Sequence, residues 1–106
     1  MGATINEDRY GLVSLTIDVA SVAINTTAEQ TFALPGLRVG DFVFVNKPTL
    51  NAGLGVAGAR VSANDTIAIT FVNATVGAID PASQTYTVFW FRSEDGPNLP
   101  TVVTAG

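Results

Sequence analysis

Residues 13–19 read Val-Ser-Leu-Thr-Ile-Asp-Val, and this strict alternation of apolar and polar side chains decides the fold class. A period of two is typical of a β-strand with one face on a core and the other toward solvent. Further short segments rich in Val, Ile, Thr and Phe follow, separated by Gly, Pro, Asn and Asp. Strands that recur every ~8–12 residues with turn residues between them predict an all-β, antiparallel β-sandwich or barrel-like domain.

The turn residues give the predicted strand boundaries. The first strand starts at Gly11 and either continues through residues 20–24 or breaks there, and Asn25-Thr26-Thr27 is interpreted as a turn. The later strands are predicted at Ala28–Leu34, Phe42–Val45, Leu54–Ser62, Thr66–Asn73 and Thr85–Arg92. Residues 11–92 then form the β-sandwich domain, flanked by an N-terminal arm at residues 1–10 and a C-terminal arm at residues 93–106.

Two of these strands carry specific expectations. Phe42–Val45 is apolar at every position, so both of its faces are expected to be covered. Leu54–Ser62 is rich in glycine and alanine, which predicts the close approach of another backbone. The glycines of Gly53–Gly58 also spell G-x-G-x-x-G, but no helical pattern follows them, so a dinucleotide site is not predicted.

Composition indicates one small domain with an unusually uncharged surface. The chain has 106 residues, no cysteine, and only 13% charged residues against a usual ~25%. The core must therefore form without disulfides, and the lack of cysteine fits synthesis in the cytoplasm. Either a neutral Thr/Ser/Asn surface replaces the missing charge, or part of the surface is covered in an assembly, and we favour the assembly.

Several partners and locations are not expected. The net charge is −4 and the five basic residues are scattered singly, which argues against a nucleic-acid partner. Residues 1–9 are polar and include acidic side chains, unlike a signal peptide. The longest apolar runs have four residues, too few for a membrane-spanning helix.

Catalytic chemistry is not predicted either. The chain has no histidine and no cysteine, so a common general base, metal ligand and nucleophile are all missing, and its serines have no histidine partner. Asp41, Asp65 and Asp80 lie near turns and are expected to cap their own turns by accepting backbone N–H groups. An enzyme would need two carboxylates about 5–9 Å apart in a cleft. We therefore predict no catalytic, cofactor-binding or metal site, and no cofactor.

The last strand has apolar side chains on both faces. Tyr86, Val88 and Trp90 point to one side, and Phe89 and Phe91 to the other. Such a strand lies either between two covered faces or at a subunit interface that uses the face opposite the core. The residues predicted to form such an interface are Phe89, Phe91, Phe42, Phe44, Tyr10, Pro97 and Leu99.

Three segments carry a resemblance to a known group of proteins. Residues 34–41 read Leu-Pro-Gly-Leu-Arg-Val-Gly-Asp, residues 52–75 run from Ala-Gly-Leu-Gly-Val to Phe-Val-Asn-Ala-Thr, and residues 80–88 read Asp-Pro-Ala-Ser-Gln-Thr-Tyr-Thr-Val. Together they resemble small virion structural proteins of tailed bacteriophages, of the capsid decoration (cement) and head-fibre types. The resemblance spans about residues 19–91, and its motifs are turns and strands rather than reactive groups.

The resemblance implies a β-sandwich on the outer surface of the phage head. Such a protein would be synthesised in the host cytoplasm, bind the major capsid protein where subunits meet, form homo-oligomers, often trimers, and stabilise the shell. Arms that become ordered on binding could hold a neighbouring subunit. The alternative is a carbohydrate- or receptor-binding β-sandwich module of a phage fibre or adhesin, which predicts an exposed aromatic residue beside Asn or Asp in a loop.

Overall fold

The chain folds as an all-β sandwich, as the sequence predicts. A computed structural model describes residues 9–93 and 101–102. These residues form the strands β1 (Tyr10–Ile17), β2 (Thr26–Ala33), β3 (Phe42–Asn46), β4 (Leu54–Ala63), β5 (Thr66–Asn73) and β6 (Gln84–Phe91). Two three-stranded antiparallel sheets, with the orders β1-β6-β3 and β2-β5-β4, pack against each other.

Strands that follow each other in the sequence mostly lie in different sheets. The β4–β5 hairpin is the exception, and its turn includes Asp65 in the left-handed region with φ of 64°. The connections after β1, β2, β3 and β5 all cross from one sheet to the other. Pairing is therefore dominated by contacts distant in sequence, as is common in sandwiches.

The core lies between the sheets and is built from the inward positions of both. Tyr86 and Val88 of β6 are fully buried, as are Ile67, Ile69 and Phe71 of β5. The remaining buried apolar side chains of the cluster are Leu15, Ile17, Val19, Val22, Leu34, Leu37, Val43, Leu54 and Val61. The two middle strands, β5 and β6, thus supply the centre of the core, where burial contributes most to stability.

The segment after β1 breaks rather than continuing as a strand. Val19 and Val22 are buried there, and the backbones of Val22 and Ile79 exchange two hydrogen bonds of 2.8 and 3.0 Å. The buried side chain of Asn73 donates to the carbonyl oxygens of Val22, at 3.0 Å, and Gly77, at 2.9 Å. These bonds hold the loop after β1 against the loop between β5 and β6.

Three strand predictions need correction. β1 starts at Tyr10, which was assigned to the arm, because Tyr10 pairs with Phe91 of β6. Thr26 and Thr27 belong to β2 rather than to a turn, because they pair with Asn73 and Val72 along the full length of β5. β3 has one covered face, that of Val43, while Phe42 and Phe44 are exposed because no element of the described chain packs over them.

The interpretation of the glycine-rich strand is also wrong in detail. A Cβ atom at Gly58 would meet no other heavy atom within 4 Å, so no backbone lies close to this glycine on the side that a side chain would occupy. Gly58 instead follows a register irregularity between Val56 and Gly58, as expected for glycine at a β-bulge. The close approach occurs at Gly53, where φ is +84° and a Cβ atom would overlap Cγ2 of Thr75.

Gly53 and Gly58 therefore form a matched pair for mutagenesis. Gly53→Ala should lower the free energy of unfolding by about 1–3 kcal/mol, because alanine is disfavoured at positive φ and would displace Thr75. Gly58→Ala should change it by less than about 1 kcal/mol. Urea unfolding of both variants measures the difference, and equal effects would contradict the assignment of strain to Gly53.

The hydroxyl of Tyr86 gives a pH-dependent prediction. It is buried without a hydrogen-bond partner among the described residues, and this burial raises the pKa of Tyr86 above its ordinary value of 10.0. Above about pH 10 the unfolded chain loses a proton that the folded chain keeps, so stability falls as the pH rises. Tyr86→Phe should stabilise the fold by about 1 kcal/mol at neutral pH and reduce the alkaline loss, as measured by thermal unfolding from pH 7 to 11.

Candidate functional site

The outer face of the β1-β6-β3 sheet carries a cluster of exposed apolar side chains. Two rows cross the sheet in register, with Tyr10, Phe91 and Phe42 in one and Leu12, Phe89 and Phe44 in the next. We call these six residues the apolar face. The exposed fractions are 73% for Leu12, 61% for Phe44, 55% for Phe42, 51% for Tyr10 and 43% for Phe91. Clusters of this kind on a small domain are typical of binding surfaces.

The alternation of each strand places these side chains outward. Phe89 and Phe91 of the middle strand point away from the core because Tyr86 and Val88 point into it. Each outward phenylalanine of β6 contacts one of β3. Phe42 and Phe91 meet edge to face with ring centroids 6.2 Å apart, and Phe44 and Phe89 stack at 6.0 Å. The rings hold one another in place before any partner binds.

The rest of this sheet surface is polar but uncharged. The next row contains Ser14, Thr87 and Asn46, and beyond it the hydroxyl groups of Thr16 and Thr85 are hydrogen-bonded at 2.8 Å. None of the outward strand positions of this sheet carries a charged side chain. An apolar centre beside neutral polar groups has the composition of a protein–protein interface.

An ion pair anchors the end of the sheet where the apolar face lies. Asp41 directly precedes Phe42, and Arg92 directly follows Phe91. Arg92 donates two hydrogen bonds to the carboxylate of Asp41, Nε to Oδ1 at 2.8 Å and Nη2 to Oδ2 at 2.7 Å. The Asp41 side chain is almost fully buried, and this bidentate contact fixes β3 beside β6.

Hydrogen bonds set the protonation behaviour of Asp41. Burial raises the pKa of Asp41, but the hydrogen bonds from Arg92 and from the backbone N–H of Arg38 outweigh burial and lower it below the usual 3.8. Asp65 likewise has a lowered pKa, because it accepts a hydrogen bond from the backbone N–H of Gly36 and one from the Arg38 guanidinium. Both carboxylates are thus bound as anions.

The predicted capping role fits Asp41 but needs correction for Asp65. Asp41 accepts the N–H of Arg38, three residues earlier, and so closes its own turn. Asp65 instead caps the turn of Pro35-Gly36, which connects the β4–β5 hairpin to residues 34–41. Asp80 lies near the start of β6. Asp41 directly precedes β3, and the first residue of β3 pairs with the last residue of β6. These two carboxylates therefore lie at opposite ends of the sandwich. Asp41 and Asp80 therefore form no acid–base pair with each other.

Other reactive or ligand-binding arrangements are few in the described part of the chain. Residues 9–93 and 101–102 contain no group of three or more His, Cys, Asp or Glu residues that could hold a metal ion. The same residues include no helix long and apolar enough to span a membrane. All of Gly53–Gly58 except Gly53 lies within the extended strand β4, so the dinucleotide motif lacks the helix that it requires.

The aromatic residues do not form the loop platform expected of a carbohydrate-binding module. All nine aromatic side chains of the sequence lie in strands. Trp90 is half-buried, and the guanidinium carbon of Arg92 lies 5.0 Å from the centroid of its ring, so that Arg92 covers one face of the ring. The exposed apolar loop residues are instead aliphatic, and they are Ile24, Val39, Leu50 and Val76.

Five of the seven residues predicted from the sequence to form an interface come together on the apolar face. They are Tyr10, Phe42, Phe44, Phe89 and Phe91. Pro97 and Leu99 lie outside the described residues. Sequence reasoning missed Leu12, the most exposed member, although it shares the outward parity of Tyr10 and Ser14 and could have been found by extending the alternation backward from Val13.

No protein-family model matches the chain, and no curated protein or solved structure is significantly similar to it. The apolar face is therefore interpreted from its own geometry and chemistry.

The Asp41–Arg92 ion pair leads to a prediction for acid stability. Because the pKa of Asp41 is lower in the folded chain, the pair stabilises the fold above about pH 4 and this contribution is lost as the pH falls below that value. Asp41→Asn should lower the free energy of unfolding by about 1–3 kcal/mol at pH 7 and by less at pH 3. Glu29→Gln, which removes the negative charge of the exposed pair with Arg60, is the control and should lower the free energy of unfolding at pH 7 by clearly less than Asp41→Asn does.

Proposed function

We propose that the chain is a virion structural protein that decorates the outer surface of a phage head and stabilises it. The observation that carries the proposal is the apolar face, which is large, uncharged and held rigid by paired rings. A domain of 106 residues that exposes this face to water alone would risk aggregation, so the face fits a protein whose working state is an assembly.

The low charge of the whole chain supports the same proposal. Only 13% of residues are charged, and three of the five basic side chains, Arg38, Arg60 and Arg92, are already in ion pairs with carboxylates. Long-range electrostatic attraction would then contribute little to binding. Burial of apolar surface, which is less sensitive to salt, would provide the affinity.

The chain ends add a second element to the proposed contact. The N–H of Arg92 donates to the carbonyl oxygen of Arg9 at 2.6 Å, and Nη1 of Arg9 donates to the carbonyl oxygen of Ser93 at 2.8 Å. Arg9 and Ser93, the residues that precede β1 and follow the end of β6, thus lie side by side at the edge of the apolar face. We expect the predicted arms to start from this edge, next to a subunit seated on the face.

Stabilisation of a shell needs only a modest contribution from each copy. Many identical modules on a symmetric shell each add a small interface across a junction between subunits, and the free energies sum over the particle. The major capsid protein is the proposed partner, with no cofactor and no chemical step.

Binding to heads tests the proposal directly. Heads assembled without this chain should bind the purified protein to a fixed number of copies per particle and should then withstand a higher temperature before releasing their DNA. Phe42→Lys should reduce occupancy at least about tenfold, since it places a charge in the apolar face. Co-sedimentation and a thermal DNA-release assay measure the two effects.

Leu50→Lys is the matched control for this experiment, because it adds the same charge at an exposed apolar position in a loop beyond the polar end of the sheet. Saturable binding to host glycans without binding to heads would instead favour the carbohydrate- or receptor-binding alternative. Failure to bind heads at any concentration would contradict the proposal.

A further inference from the structure

We infer that the apolar face is a two-fold interface on which a second copy of this chain packs its own apolar face. The inference goes beyond head binding and does not rest on it, because it concerns the purified chain alone, before a capsid protein replaces the second copy on the same face. Three properties of the face favour this contact, namely its area, its lack of charge and the fact that it forms one continuous patch.

The area of the face fits a small dimer interface. If each side chain has about 200 Å² of surface, the exposed fractions of Tyr10, Leu12, Phe42, Phe44 and Phe91 correspond to about 550 Å² of apolar surface. A standard interface buries about 800 Å² on each partner. The neutral row of Ser14, Thr87 and Asn46 lies beside the apolar residues and would supply the remainder as a polar rim.

The lack of charge favours a second copy over a charged partner. Two copies with a net charge of −4 each repel at long range, but no outward strand position of this sheet brings like charges together at contact. Rows of phenylalanine offer no group that would select a partner of opposite charge, whereas they are self-complementary when two sheets stack about 10 Å apart.

A single patch points to two-fold rather than three-fold symmetry. A two-fold contact uses the same patch on both subunits, whereas a ring of three needs two different complementary patches on each. The other exposed large apolar side chains of the described residues lie singly in loops or near the C-terminus, at Ile24, Val39, Leu50, Val76 and Val102. The inference therefore differs from the trimer that the sequence resemblance implies.

The dimer would also explain the apolar composition of β3 and β6. In the single chain, Phe42 and Phe44 are exposed although their strand is apolar on both faces. With a second copy in place, the outward rings of Phe89 and Phe91 would be covered as well. Each sheet β1-β6-β3 would then lie between two apolar layers, its own core and the interface.

Sedimentation equilibrium of the purified chain tests the inference. The wild-type protein should approach twice the chain mass of 11.0 kDa as concentration rises. Phe44→Lys and Leu12→Lys should each weaken the dimer at least about thirtyfold, because each substitution occurs twice across a two-fold axis. Leu50→Lys should leave the dimer unchanged. Circular dichroism confirms that each variant is folded.

Salt provides a second measurement on the same samples. An interface without charged side chains should hold or gain affinity as sodium sulfate is added, since this salt strengthens apolar burial. A dimer that dissociates with rising salt would depend on ion pairs elsewhere on the surface and would overturn the inference.

A position-specific measurement separates this face from other surfaces. The chain has no cysteine, so a single introduced cysteine can carry a nitroxide spin label. Labels at Thr87→Cys, on the rim of the face, should show strong dipolar coupling between the two copies. Labels at Thr31→Cys, exposed on the opposite sheet, should couple weakly or not at all.

Besides dissociation with rising salt, four further results would overturn the inference. These are a wild-type mass that stays at 11.0 kDa at every concentration, a trimer mass, a dimer that both lysine variants leave intact, and stronger coupling at Thr31→Cys than at Thr87→Cys. Because no heads are present in these experiments, they leave the proposed decoration role to its own test.

Discussion

The structure depends on one constraint, that β6 is apolar on both faces while it forms the middle of its sheet. Its inward side chains, Tyr86 and Val88, fill the centre of the core, and its outward side chains, Phe89 and Phe91, stand on the opposite surface. A shift of one residue in the register of β6 would not remove apolar side chains from the surface, because it would place the outward phenylalanines in the core and expose the core residues instead. The core thus fixes which side chains of β6 point outward, and phenylalanine at two of these positions makes the apolar face.

The rest of the fold keeps this strand in place. β1 and β3 flank β6 and contribute Tyr10, Leu12, Phe42 and Phe44 to the same two rows. The ion pair of Asp41 and Arg92 fixes the end of β3 against the end of β6, with the carboxylate excluded from water. Charges are scarce in this chain, and Asp41, the most buried carboxylate of the described residues, holds together the two strands that carry the phenylalanines of the apolar face.

The alternation of side chains predicts the fold class and most strands, because it depends only on local sequence. Both ends of the strand Thr66–Asn73 are predicted correctly. Tyr10 and Thr26 are wrongly predicted to lie outside strands, because they become strand residues only by pairing with Phe91 and Asn73 far along the chain. The candidate site follows the same rule. The alternation along each strand identifies the outward phenylalanines, but only the register shows that Tyr10 and Leu12 of β1 stand in the same rows as the phenylalanines of β6 and β3.

An exposed apolar surface favours non-specific association, and the sheet has features that limit this tendency. Two features of the sheet limit the surface to a defined contact, namely the paired rings, which fix its shape, and the hydroxyl and amide rows, which end it after two rows. A shape-defined patch with a polar boundary selects partners by fit, because any misaligned contact would bury Thr87 or Asn46 without hydrogen bonds. Specificity in this chain would therefore come from the polar residues beside the phenylalanines, and affinity from the phenylalanines themselves.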